Sequence, residues 1–203
     1  MGVGCTRWHL ERIFDFTADG CPGLVPTDRL LEKFGVTVVP SLPPPHEAGQ
    51  PFAAGDLGFL GEQEVIRRLA EADDMNLFRP FPDSETAEIL VRQRKTGRVI
   101  GLQVKTVTVD EAHPRPSVNV KISSFRPAPT THFTVLSWVR EEGRFHDECL
   151  LFPSERLLDF AQMKQGHYAF EFAQGSKSKS KLNSYRRALG ELRIATEDLL
   201  AVE

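Results

Sequence analysis

Two apolar runs flanking a short polar turn constrain this chain more than any other feature. Ala87-Glu88-Ile89-Leu90-Val91 and Val99-Ile100-Gly101-Leu102-Gln103-Val104-Lys105-Thr106-Val107 stand on either side of Lys95-Thr96-Gly97-Arg98. Runs of this length, rich in β-branched residues and joined by a glycine-bearing turn, predict an antiparallel hairpin in which Gly97 supplies the positive φ. If Thr96 and Gly97 are the two loop residues, Glu88 faces Lys105 and Leu90 faces Gln103. Side chains two apart on a strand point the same way, so these four share one face of the sheet. A loop of three or four residues would shift that pairing.

The segments around the hairpin have their own periodicities. Leu57 to Ala72 predicts a helix, with Phe59, Val65, Ile66, Leu69 and Ala70 on an apolar face and Arg67, Arg68 and Glu71 opposite. Glu62 falls on the apolar side, where a carboxylate is costly unless something pairs with it. The bland alternative is a glutamate at the margin of the stripe that reaches water. Ser117–Ile122, His132–Val139 and Glu148–Pro153 read as strands. Ser154 is placed to cap a helix running to Phe160, and a helix is expected from Thr196. Helix, several strands, then helix indicates an α/β domain around a mixed β-sheet flanked by helices. Residues 1–50 differ: Thr27 precedes a short helix signal ended by Gly35, and Pro40-Ser41-Leu42-Pro43-Pro44-Pro45 reads as a linker. The expected organisation is an N-terminal extension over 1–50, a core over 51–175, and a basic segment with a C-terminal helix over 176–203.

Composition removes several classes of function. With 203 residues, 40% hydrophobic and 26% charged, the chain has the make-up of an ordinary folded domain. No apolar run approaches the roughly 20 residues needed to cross a bilayer, and the N-terminus lacks a basic flank followed by an apolar stretch. A cytoplasmic protein without membrane attachment is expected. Cys5, Cys21 and Cys149 form no CxxC pair, so neither a zinc ribbon nor a disulfide framework is indicated. His113, His132 and His146 lack metal-ligand spacing, and no glycine set is followed by Lys-Ser/Thr as a nucleotide phosphate loop requires. Net charge is −3, but residues 92–105 carry Arg92, Arg94, Lys95, Arg98 and Lys105, and residues 177–187 carry Lys177, Lys179, Lys181, Arg186 and Arg187, both without an acid. Both stretches are candidates to face phosphates, the bland alternative being solvated surface.

The chemistry of the hairpin face is specific. Phosphodiester hydrolysis needs a divalent cation, an activated water and a positive group near the phosphate. Glu88 offers a carboxylate, Gln103 a neutral amide oxygen and Lys105 an ammonium that can orient water and stabilise the developing charge. Against this stands a plain cross-strand ion pair of Glu88 with Lys105, worth roughly 0.2–1 kcal/mol.

Gly61-Glu62-x-x-Val65 on a helix, an acid opening an apolar strand (Glu88-Ile89-Leu90-Val91) and Gly101-Leu102-Gln103-Val104-Lys105-Thr106 on the next strand resemble the PD-(D/E)XK nuclease superfamily. They look like the variant branch in which Gln stands where Asp or Glu is usual, a branch that includes group I intron-associated endonucleases and Holliday junction resolvases. The similarity runs from about Gly55 to Phe160. It implies a restriction-endonuclease-like α/β core, Mg²⁺ (or Mn²⁺) as cofactor, and DNA as partner and substrate; because cutting both strands of a duplex usually takes two active sites, a homo-oligomer, either dimer or tetramer, is expected. Carried over residue by residue, Glu62, Glu88, Gln103 and Lys105 are the catalytic set. Glu88, Gln103, the backbone carbonyl of Val104 and Glu62 would hold the metal, and Arg92, Arg94, Lys95, Lys177, Lys179, Lys181, Arg186 and Arg187 would contact DNA. The strand acid is usually Asp, so Glu88, one methylene longer, shifts the expected metal geometry. A nuclease fold serving only as a DNA-binding or assembly module is the competing reading, because function belongs to the site and not to the fold.

Overall fold

In the computed structural model, residues 54–80, 87–175 and 180–201 are described, all within the unit Glu47–Glu203. The expected extension over 1–50, together with Lys177 and Lys179, lies outside the described residues.

The first described helix, α1 (Ala54–Leu69), is built on four-residue spacing: Leu57, Gly61, Val65 and Leu69 are its buried line. Asp56 in the first turn and Arg67 and Arg68 in the last suit the helix dipole. On the wet side Glu64 accepts from Arg67 at 2.9 Å and from Arg68 at 2.8 Å. Phe59, expected on the apolar face, is 52% exposed, because it sits two residues from Leu57 and therefore points away from the buried line.

Ten strands follow. β1 (Met75–Phe78), β2 (Ile89–Gln93), β3 (Val99–Val109), β5 (Thr131–Val139), β7 (Glu148–Pro153) and β10 (Arg186–Ala188) form the main sheet in the order β1-β2-β3-β5-β7-β10, with β6 (Arg144–Phe145) pairing β5. β3 and β5 run parallel and the other pairs antiparallel, so the mixed α/β sheet expected from the sequence is present. The connection between β3 and β5 carries β4 (Ser117–Lys121), which forms a second sheet with β8 (Gln162–Lys164) and β9 (His167–Glu171), ordered β4-β9-β8. The expected Ser117–Ile122 strand thus belongs to a second sheet, and β1, β6, β8, β9 and β10 lie outside the strands expected from the sequence. α2 (Leu192–Ala201) closes the described chain, with Thr196 buried in its middle and not at its start.

The two faces of the main sheet have different covers. Leu102, Val104, Leu136, Cys149 and Leu151 pack with Val65 and Leu69 of α1 and Leu192 and Leu200 of α2. Alternate residues of the same strands, Phe133, Val135, Leu150 and Phe152, pack instead with Val118, Val120, Phe170 and Phe172, the last two with Val118 and Val120 belonging to the second sheet and its flank. Each fully buried side chain of this size contributes about 1.5–3 kcal/mol. β5, buried over its first seven residues, is the central strand shared by both cores.

Two local expectations are corrected. The hairpin loop holds four residues: Gln93 donates to Arg98 O at 2.9 Å, and Gly97, at φ +73, closes the turn by donating to Gln93 O. Ile89 therefore pairs with Leu102 and Leu90 with Gly101, and Glu88, whose N–H donates to Leu102 O, stands beside the first of these pairs and not in register with Lys105. The register moves by two residues, an even shift that leaves every side chain on its expected face. Ser154 caps no helix. Its hydroxyl accepts from Ala128 N at 3.0 Å and donates to Ala128 O at 3.1 Å, and residues Ser154–Asp159 form a 3₁₀ helix.

Candidate active site

The hydrogen-bonded pairs of the hairpin alternate from Gln93 and Arg98 through Val91 and Ile100 to Ile89 and Leu102. The next pair would be Ala87 and Val104. β2 ends before reaching it, and Val104 N–H is taken up by the side chain of Glu88, whose Oε2 accepts it at 2.5 Å. The Glu88 backbone N–H is itself tied to Leu102 O at 2.9 Å. Main chain and side chain of Glu88 are thus both anchored on β3, so the carboxylate stands in for the missing strand carbonyl.

Its second oxygen, Oε1, lies 3.3 Å from Lys105 Nζ, with Glu88 25% and Lys105 27% exposed. Gln103, two residues before Lys105 and on the same face of β3, is half-buried. The structure therefore brings Glu88, Gln103 and Lys105 together. A strand residue directs its N–H and C=O to the same edge, so the Val104 carbonyl belongs to that cluster as well. The available donors are a carboxylate, an amide oxygen and a backbone carbonyl. These are hard oxygen ligands, chemically suited to Mg²⁺ or Mn²⁺. They include a single carboxylate, and among the described residues no group of three or more His, Cys, Asp or Glu side chains is gathered to hold a metal ion.

Glu62 lies on α1, 17% exposed, and is ion-paired with Arg79 from the chain just after β1. This answers the question of what stabilises a carboxylate near the apolar stripe. Arg79 was missed by sequence reading, because nothing in the spacing links it to Glu62, and only the packing of β1 beside α1 brings them together. α1 approaches β3 closely through Gly61, where a Cβ would come within 1.8 Å of Thr106 Oγ1.

The expected DNA contacts divide. Arg92 and Lys95 are exposed on the hairpin. Arg94 is also exposed and is braced by Asn76 Oδ1 at 2.9 Å. Lys181 donates to Asp159 O at 2.8 Å. Arg186 is drawn into the fold: it is ion-paired with Glu148, donates to Ala173 O at 2.7 Å and lies 5.2 Å over the ring of Phe172. Arg187 donates to Ser184 O and Arg186 O at 2.9 and 2.6 Å. The latter three accompany β10, at the sheet edge opposite β1.

Other titratable groups serve the core. Burial pushes the Cys149 thiol up to about 12, which leaves it protonated and unreactive. Burial also holds the His132 imidazole below its ordinary range, with a backbone hydrogen bond at Thr130 opposing in part.

No family model matches the sequence, and no curated protein does. Among solved structures, the fold is similar to that of a bacterial homing endonuclease, I-Ssp6803I, with a TM-score of 0.51 and 14% identity over 74% of this chain and 96% of that one. At that identity the likeness concerns architecture, and it establishes that the chain has a nuclease-like fold.

Proposed function

We propose that this chain is a metal-dependent endodeoxyribonuclease of the PD-(D/E)XK type, with Glu88, Gln103 and Lys105 at its centre. The observation that carries the reading is the position of Glu88. Its carboxylate is held at the end of β2 by Val104 N–H and Lys105 Nζ, beside two further oxygen donors. A bound Mg²⁺ or Mn²⁺ would neutralise phosphate charge and lower the pKa of a coordinated water. Glu88, Gln103 and the Val104 carbonyl would hold it. A carboxylate has more lone pairs than its two protein hydrogen bonds use, so those bonds orient Glu88 without occupying it fully. Lys105, already within reach of Glu88, would orient the attacking water and face the phosphate. Glu62, fixed by Arg79, would complete the set by hydrogen bonding to water. Cutting two strands of a duplex calls for two such sites, which favours a homo-oligomer.

The test is cleavage of plasmid and four-way-junction DNA with Mg²⁺ and with Mn²⁺. Activity is expected with one or both metals and is expected to be lost in Glu88→Ala and Lys105→Ala variants that remain folded. Cleavage surviving both substitutions would overturn the reading.

One observation favours the second reading, a nuclease fold used only to bind DNA: the described site contributes one strand carboxylate, and Glu62 is already paired. Calorimetric titration with Mn²⁺ separates the two, since a binding module shows no uptake that depends on Glu88.

A further inference from the structure

The second sheet ends in a rung that carries two lysines. Lys121 of β4 pairs with His167 of β9, and His167 pairs with Lys164 of β8, so the three stand on one rung and one face. Lys121 and Lys164 are fully on the surface, and Val118 and Val120, alternating with Lys121, point the other way into the core. Neighbouring strands are about 4.8 Å apart, which puts the two lysines roughly 10 Å from each other. Like charges facing one another across strands are destabilising, and neither lysine has a carboxylate partner among the described residues.

Residues 112–140 and 160–170 contain no Asp or Glu, and between them they carry Arg115, Lys121, Arg126, Arg140 and Lys164; the acid on this face of the second sheet, Glu171, stands at the far end of β9 opposite Ser117. Arg126 is exposed, and its only hydrogen bond among the described residues goes to the neighbouring Phe125 carbonyl at 2.9 Å.

This surface is connected to the strand of the candidate active site through the loop after β4. Ile122 N–H donates to Gly166 O at 3.0 Å, which ties the turn after Lys121 to the turn before His167. Phe125 packs on Phe133 with ring centroids 6.4 Å apart, and Phe133 is the sheet neighbour of Gln103. Ser154 clamps Ala128, and Thr130 O accepts from Gly101 N at 2.8 Å. The loop from Ile122 to Thr130 thus runs from the charged rung to the Gly101-Gln103 end of β3, on the sheet face where Gln103 and Lys105 project.

We infer that Lys121, Lys164 and Arg126, with His167 between the lysines, form a docking surface for the phosphate backbone of double-stranded DNA, joined through the Ile122 to Thr130 loop to the strand that carries Gln103 and Lys105. The inference rests on the nuclease reading for its direction and deepens it by naming where the duplex lies. It was not legible from either of the basic stretches, because the charges come from β4, β8 and the loop after β4, which only the second sheet brings together.

The experiment is fluorescence anisotropy of the full chain with a duplex of arbitrary sequence, in chelator so that nothing is cut, over a salt series. Lys121→Ala/Lys164→Ala is expected to weaken binding about tenfold near 0.1 M salt and to make the slope of log K against log salt shallower by nearly two, since each phosphate contact contributes about 0.9. Arg126→Ala is expected to remove a further contact. Circular dichroism melting shows whether the variants remain folded. For variants that are folded, parental affinity and slope overturn the inference, as does an effect seen only with double-stranded RNA. The outcomes are separable from the nuclease reading: unchanged binding with intact metal-dependent cleavage defeats this surface alone, whereas absent cleavage with the expected slope change defeats the chemistry and leaves the surface standing.

Discussion

Glu88 performs two tasks that different substitutions separate. Its Oε2 accepts the Val104 N–H at 2.5 Å, and its Oε1 meets Lys105 Nζ at 3.3 Å. A hydrogen bond to a charged group contributes about 1.5–3 kcal/mol, and a partly exposed ion pair about 0.2–1 kcal/mol. Glu88→Gln keeps an oxygen to accept from Val104 and loses the charge, so its stability should fall by only about 1 kcal/mol. Glu88→Ala leaves the Val104 N–H without its acceptor and should fall by about 2–3 kcal/mol. Activity should not follow that order. Both variants remove the one carboxylate beside Lys105 among the described residues, so both should lose cleavage by at least about a hundredfold, the scale on which a single electrostatic group acts in a transition state. Urea melts at pH 7 give the first comparison and plasmid nicking with Mn²⁺ the second. The reasoning is refuted if Glu88→Gln cleaves within about tenfold of the parent, or if Glu88→Ala is as stable as the parent.

Other expectations follow from the same geometry. Gly61→Ala should destabilise by about 1–3 kcal/mol despite the better helix propensity of alanine, because the new methyl meets Thr106 Oγ1 and, at 3.1 Å, Thr106 Cβ; an unchanged urea midpoint would contradict this. Arg79→Ala should raise the Mn²⁺ concentration needed for half-maximal cleavage, as should Glu62→Gln, with the double variant no worse than the worse single one, since Arg79 acts through Glu62; additive losses would show independent roles. His132 is buried with Nδ1 lacking a partner among the described residues, and its folded pKa lies below the unfolded value of about 6.5. Below that pH the unfolded chain takes up a proton that the folded chain resists, so stability should be full above about pH 6.5 and decline as pH falls beneath it. Replacing His132 with Gln should flatten the urea midpoint between pH 7 and 5, and an unaltered slope would refute the assignment.

Local pattern carried the reading of this chain a long way. Alternation and a glycine turn identified β2 and β3, and the helical spacing of apolar residues identified α1, although Phe59 falls outside its buried line. Gln103 and Lys105 could be placed on one face with Glu88 because that depends only on parity along a strand, which survived a two-residue change of register. The charge-bearing residues of the site were legible for the same reason. Glu62 could be singled out by its awkward place on the helix, since a carboxylate beside apolar residues requires a partner.

What lay beyond the sequence involves contacts between segments distant along the chain. Arg79 reaches Glu62 only because β1 and α1 pack together, and the cap of Val104 by Glu88 exists only because β2 stops one pair short. Ser154 has the side chain of a helix cap, yet a closer pair of backbone groups at Ala128 takes its hydroxyl. Arg186, one of a run of basic residues, is turned inward by Glu148 and Phe172, while Lys121 and Lys164, separated by 43 positions, become neighbours through His167. Periodicity determines which way a side chain faces within its own element, a matter of local geometry. Whether that face meets solvent, a core or an opposite charge is set by which elements pack against it, and in this protein only the tertiary structure decided that.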